Sequence, residues 1–188
     1  MKISYPVFKS LLALSLGTLG VCMSEFSIMA ILPDVARSLS VSIPEAGHFI
    51  SAYALGVCVG APLTVLVARS RPLRSILLGL MMLFIVGNAM TALASSSPMM
   101  IAARFIAGLP HGAYFGVAAI IADKLVEKAY SVLAVSIVIA GATIANLGGV
   151  PCSTLLTHLL SWRLAYGLVA CVGVAVIICV LIWVPRLP

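Results

Sequence analysis

The sequence predicts an all-α, polytopic membrane protein with six transmembrane helices. Three observations carry that prediction. Of the 188 residues, 63% are hydrophobic and only 9% are charged, whereas soluble domains carry roughly a quarter charged residues. The mean hydropathy is +1.24. Six stretches are apolar over about the 20 residues that a helix needs to cross a bilayer. The net charge of +6 then reports orientation in the lipid bilayer, not affinity for nucleic acid. The intervening loops are too short for a soluble catalytic domain, so function is expected within the helices and enzymatic activity is not expected.

The first span is expected over residues 8–32, closed by Pro33. Lys2, Lys9 and the apolar run from Leu11 have the outline of a secretory signal. No Ala-x-Ala-like site follows, and the run resumes through Phe26, so an uncleaved first span is expected. A polar link from Asp34 to Glu45 leads to the second span, 47–68. The third span is placed at 75–93 and the fourth at 99–122, with Ser95-Ser96-Ser97-Pro98 turning between them. The fifth is placed at 130–156 and the sixth at 164–184, where Pro185 stops it. Trp162, Arg163 and Tyr166 open the sixth span as an interfacial anchor would.

Eight of the 11 Lys and Arg residues fall on one side of this arrangement, among them Arg69, Arg71 and Arg74 in the short loop after the second span. Only Arg37 and Arg163 fall on the other, and Arg104 lies within a span. The positive-inside rule therefore places both termini in the cytoplasm. The five cysteines lie in apolar runs without paired spacing, which predicts buried, inert thiols and neither a disulfide framework nor a metal site.

The fourth span carries the residues that lipid tolerates least. Arg104 and His111 are seven residues apart, nearly two turns, and so share a helix face. Gly108, Gly112 and Gly116 recur every four residues and let another backbone come close. Pro110 frees the Ile106 carbonyl and predicts a kink. Glu25 is the one carboxylate deep inside a span, about 10 Å below the end of its helix, and Arg104 lies about 9 Å below the end of its own on the same side. Equal depth and the cost of an unpaired intramembrane charge predict a Glu25–Arg104 pair. Desolvation favours the protonated acid and a neighbouring guanidinium favours the carboxylate, so such a group can exchange protons as its surroundings change.

Ser15, Thr18, Cys22 and Glu25 form a polar stripe on the first helix, facing a partner helix or a water-filled cavity. Gly17, Gly20, Ser24 and Ser27 form a packing face. His111 has no second ligand at metal spacing, and a hydrogen bond to a neighbouring helix or a substrate or proton contact is expected of it. Asn88 is expected to tie helices together. In the fifth span, Asn146, Gly148, Gly149 and Pro151 weaken the helix and predict a bend or hinge. Gly56 and Gly60 form a further small-residue pair.

These residues resemble a known family. Arg104 to Gly112 matches the Arg-x-x-x-Gly-x-x-x-Gly signature of major facilitator superfamily transporters, with the Pro-His-Gly of arabinose-efflux-like permeases. Glu25-Phe26, Gly149-Val150-Pro151, Trp162-Arg163, Ala46-Gly47-His48 and Tyr53-Ala54-Leu55-Gly56 are similar to that group as well. The chain resembles the N-terminal half of such a transporter, in the drug:proton antiporter branch that also includes purine-nucleoside-efflux-like permeases. Ala68 stands where the family's loop motif has Asp, and Cys152-Ser153 departs from the glycine usual after Pro151. The resemblance implies a 3+3 inverted repeat and a second six-span half, as a separate chain or a second copy, with substrate held between the halves. Leu187-Pro188 falls at the expected start of the central loop. It further implies a secondary transporter of the bacterial inner membrane, without cofactor, coupling protons to efflux of a small molecule such as a sugar, nucleoside or drug. The alternative is a non-transporting scaffold, a regulatory subunit or an inactive remnant.

Overall fold

The computed structural model describes residues 4–68 and 71–186, and the side chains of Val67 and Ala68 are not among what it describes. Every regular element among the described residues is helical. They are α1 (Tyr5–Ser38), α2 (Ile43–Ala68), α3 (Leu73–Leu93), α4 (Ser97–Lys124), α5 (Ser131–Ile144), α6 (Val150–Leu159) and α7 (Trp162–Trp183). A 3₁₀ turn at Lys128–Tyr130 precedes α5, and a π-helical turn at Ala145–Gly149 joins α5 to α6. Among the described residues, six stretches are long and apolar enough to cross a membrane, the fifth running Lys128–Leu159 through α5 and α6.

α1 is the axis of the bundle. Of its most apolar window 72% is buried, against 56% for α4 and 22–39% for the others, so α1 is the helix that the rest enclose. Leu11, Leu14, Val21 and Met23 form one core with Met81 and Phe84 of α3, Tyr114 and Ile121 of α4, and Val176 of α7. Ile28, Ile31 and Val35 form a second core with Phe49, Met100 and Trp162. Large apolar side chains such as Leu55, Val132, Leu147, Leu168 and Ile182 stay exposed, as expected where lipid or another membrane element replaces a protein core.

Several expectations about the ends of helices change. Pro33 does not close α1, which continues to Ser38. Burial of Val35 and Ala36 in the second core holds that last stretch, and the carbonyl that Pro33 leaves free belongs to the exposed Met29. The polar link therefore shrinks to residues 39–42. α2 starts with a capping box: Glu45 Oε2 accepts from the Ser42 N–H at 2.8 Å, and the Glu45 N–H donates to Ser42 Oγ at 3.3 Å. Arg74 sits in the first turn of α3, not in the loop, and donates to the Leu181 carbonyl at 2.5 Å. Arg71 is exposed, and Arg69 lies outside the described residues.

Trp162 and Tyr166 are 5% and 1% exposed, so they are core residues and not an interfacial anchor. Arg163 donates to the Ala92 and Ala94 carbonyls at 3.2 and 2.5 Å, satisfying acceptors that the end of α3 leaves unpaired. This latch draws the start of α7 inward. Of the cysteines, Cys22 is buried, whereas Cys58, Cys152 and Cys171 are exposed on helix surfaces. The expectation of buried thiols holds for Cys22 alone among those four. An apolar run does not reveal which of its faces meets protein.

Candidate functional site

The site is built where α1, α2, α4 and α7 meet. Two glycines on α2 set its geometry. A Cβ at Gly56 would run into the Phe105 carbonyl, and one at Gly60 into the Leu109 carbonyl. Gly108 on α4 is likewise pressed against the Tyr53 carbonyl, and Gly112 against Val57. Gly108 and Gly112 of the fourth span therefore bring α4 onto α2. Gly116 has open space before it. Close contact between backbones of this kind is what small-residue spacing allows.

Arg104 is fully buried. Its Nη1 donates to the Ser24 carbonyl at 2.9 Å and lies 3.4 Å from Ser24 Oγ. The guanidinium carbon stands 4.3 Å from the ring centre of Tyr53 and 5.5 Å from that of Tyr166. Two aromatic faces thus stabilise its charge, while Nε and Nη2 have no hydrogen-bond partner. Ser24 Oγ donates to Asn88 Oδ1 at 2.6 Å, and Asn88 Nδ2 donates to the Phe84 carbonyl at 2.8 Å. Asn88 ties helices together, through the face of α1 that Gly17, Gly20 and Ser27 also bury.

Glu25 does not pair with Arg104. Its Oε2 lies 3.4 Å from His111 Nε2, and its side chain remains 31% exposed against 11% for His111. Equal depth along the two axes was not the deciding quantity. α1 and α4 run antiparallel, as the bonds Tyr114 to Leu14 and Arg104 to Ser24 require. Side chains lean towards the N-terminus of their own helix, so Glu25 leans towards His111 while Arg104 leans away from it. The guanidinium then finds the Ser24 carbonyl.

The other side of His111 is held by Tyr53. Tyr53 Oη lies 2.9 Å from Nδ1, and it also lies within donating distance, 3.2 Å, of the Val21 carbonyl. The two rings meet edge to face at 5.7 Å, and Phe115 closes the far side at 5.4 Å. Sequence reasoning gave Tyr53 no role. The signal was present in the spacing: Gly56 and Gly60 stand three and seven residues after Tyr53, which puts all three on one helix face.

The polar stripe of α1 divides. Ser15 and Thr18 are buried, the first with its carbonyl against Gly141 of α5, the second bonded to its own helix at the Leu14 carbonyl. Only Glu25, at the far end of the stripe, remains half-buried. Pro110 is buried, and α4 runs as one helix through it. In the fifth span the Val150 N–H reaches back to the Ala145 carbonyl, and Pro151 next to it has no N–H to give. This pairing five residues back is the π turn, the form the expected weakening takes. Gly149 is pressed against the Met23 side chain, Gly148 is open, and Asn146 and Pro151 are exposed, with Asn146 Nδ2 bonded to the Ala142 carbonyl at 3.0 Å.

A six-span helical bundle with a buried cation and a half-exposed acid–imidazole pair defines a polytopic helical membrane protein. The chain belongs to the Major Facilitator Superfamily: residues 14–188 match the family. It is 45% identical over 177 residues to AraJ of Escherichia coli (strain K12), which covers 94% of this chain and 45% of AraJ. It is 36% identical over 165 residues to a chloramphenicol resistance protein of Streptomyces lividans, covering 88% of this chain and 42% of that protein. The fold is that of the proton:xylose symporter XylE bound to 6-bromo-6-deoxy-D-glucose, with a TM-score of 0.85 at 15% identity over 98% of this chain and 46% of that one. The chain thus spans somewhat less than half the length of the proteins it matches.

Proposed function

We propose that this chain is the N-terminal half of a proton-coupled exporter of a small molecule such as a sugar, nucleoside or drug, with Glu25 as the coupling acid. The observation that carries the reading is the Glu25–His111 pair, half open on the acid's side and set beside the buried Arg104. An ionisable group at that depth is costly, and such groups mark proton and substrate pathways. A further relative, of Helicobacter pylori, is named a sugar efflux transporter, which supports export.

In this reading His111 is the pair partner of Glu25, and Arg104 is a fixed cation that holds α1 to α4 near the substrate path. Gly108 and Gly112 keep α2 and α4 moving as one body. The π turn with Gly148, Gly149 and Pro151 is a flexing point, and Asn146 presents a polar group beside it. Both termini face the cytoplasm of a bacterial cell with the protein in its inner membrane, Arg69, Arg71 and Arg74 lying on that side. A second six-span half completes the substrate site, and the two rock about it in alternating access.

The test is transport in proteoliposomes under an imposed pH gradient. The chain is reconstituted alone and with the part of AraJ that it does not cover, using labelled arabinose, uridine and chloramphenicol as probes. Gradient-driven movement that Glu25→Gln abolishes supports the reading. Movement that survives Glu25→Gln with its pH dependence intact refutes the coupling role, and no movement of any probe in either arrangement favours a six-span scaffold.

A further inference from the structure

One hydroxyl stands between two helices and has one proton to give. Tyr53 Oη on α2 is 3.2 Å from the Val21 carbonyl of α1 and 2.9 Å from His111 Nδ1 of α4. The carbonyl can only accept, whereas Nδ1 accepts when bare and donates when protonated. The state of Nδ1 therefore decides which way the hydroxyl points. That state is tied to Glu25, because the other ring nitrogen faces Glu25 Oε2 at 3.4 Å.

When Glu25 and His111 share a labile proton between Oε2 and Nε2, Nδ1 carries a hydrogen in either arrangement. The pair is then a neutral acid beside a neutral ring, or a carboxylate beside an imidazolium, and behaves as one titrating unit. Tyr53 must accept from Nδ1, so its own proton goes to the Val21 carbonyl. When the pair is empty, the carboxylate calls for hydrogen on Nε2 and Nδ1 is bare. Tyr53 then donates to Nδ1, and the Val21 carbonyl keeps only its partner within the helix.

We propose that Tyr53 is a positioning residue that reads the proton load of the Glu25–His111 pair and converts it into a contact between helices. Loaded, α2 is bonded to α1 through Val21; empty, that bond is released and α2 is held only to α4 at this level. On unloading, the Nδ1–H bond breaks and its proton passes to water. The shared proton settles on Nε2, and the Tyr53 O–H bond stays intact while it turns. The charged and titratable groups facing the pair are Cys22 on α1, Tyr53 on α2 and Arg104 on α4, with Tyr166 of α7 beside Arg104. The tight crossing of α2 on α4 at Gly108 keeps Tyr53 registered on His111, so the bond to α1 is the one free to change. The use of this latch in transport rests on Glu25 being the coupling acid; its geometry does not.

The chain is labelled with ¹⁵N-histidine in nanodiscs and followed by NMR from about pH 4 to about pH 9, the range that brackets histidine titration. Its three histidines are distinguished by loss of one signal in His111→Gln. The Glu25 carboxyl band is followed by infrared difference spectroscopy and assigned with Glu25→Gln. In the wild type, His111 is expected to pass from hydrogen on Nδ1 to hydrogen on Nε2 alone as the carboxyl band disappears, with one midpoint. The ¹³C-labelled Val21 carbonyl, assigned with Val21→Ile, is expected to shift at that same midpoint in the wild type and to stay constant in Tyr53→Phe, which keeps the ring over Arg104. A Val21 carbonyl that shifts in Tyr53→Phe as it does in the wild type overturns the proposal, as does a wild-type His111 that holds one tautomer while Glu25 titrates. A switch in a chain whose Glu25→Gln form still transports with its pH dependence intact supports the latch and refutes only the coupling role.

Discussion

Glu25 Oε2 of α1 lies 3.4 Å from His111 Nε2 of α4, while Arg104, two turns from His111 on the same helix, bonds to the Ser24 carbonyl. The acid and the residue that anchors the permanent cation, Ser24, are thus neighbours on α1, yet the acid's direct partner is His111 and not Arg104. The acid's immediate partner is itself titratable, so the pair can exchange a proton, whereas an Arg partner has none to give up. Glu25→Gln is expected to preserve the helical content and the melting temperature to within a few degrees and to remove dependence on the pH gradient. Circular dichroism with proteoliposome flux checks both at once.

The α2–α4 crossing is expected to be the most sensitive packing contact. Gly56→Leu or Gly108→Leu forces two backbones apart, and overpacking of this kind costs about 1–3 kcal/mol or more. Gly116→Leu and Gly148→Ala, at positions with open space around them, are expected to cost little. Thermal unfolding in detergent, read through the reactivity of the buried Cys22 thiol, ranks the four variants.

Ser24→Ala removes the donor to Asn88 Oδ1 and leaves a buried acceptor unpaired. The cost is expected at about 1–2 kcal/mol. Asn88→Ala alone is expected to cost a similar amount, and the double variant less than the sum, because the second change removes a group already without its partner. A double-mutant cycle in unfolding free energy gives the coupling directly.

Arg104→Lys keeps the charge but loses the planar group that lies between the Tyr53 and Tyr166 rings. A shorter ammonium cannot face both rings and still reach the Ser24 carbonyl. The expected loss is about 1–2 kcal/mol for a desolvated cation–π contact, seen as a lower melting temperature. Tyr166→Phe, which leaves that ring in place, is expected to retain most of the stability.

Much of the architecture was legible because it is local. Apolar run length marked the six spans, and small-residue spacing marked faces that pack. Where the reading failed, the missing quantity was the rotation and register of one helix against another. Gly108 and Gly112 plainly marked a close contact, but nothing in their spacing says whether α1 or α2 supplies the other backbone. Trp162 and Tyr166 fit an interfacial anchor until Arg163 is seen to bond the end of α3. Pro33 fits a helix stop until Val35 and Ala36 are found in a core.

By itself, the sequence determined the class of protein, the number of spans and the few polar residues placed in them, since composition and helical period act within one segment. Tertiary structure decided which of those residues meet. Glu25 and Arg104 match in depth, yet side-chain lean in antiparallel helices gives Glu25 to His111 and Arg104 to Ser24. Tyr53, unremarkable in sequence, stands against His111 because Gly108 lets its backbone approach. Contacts between helices depend on how whole surfaces interlock, and no single segment contains that information.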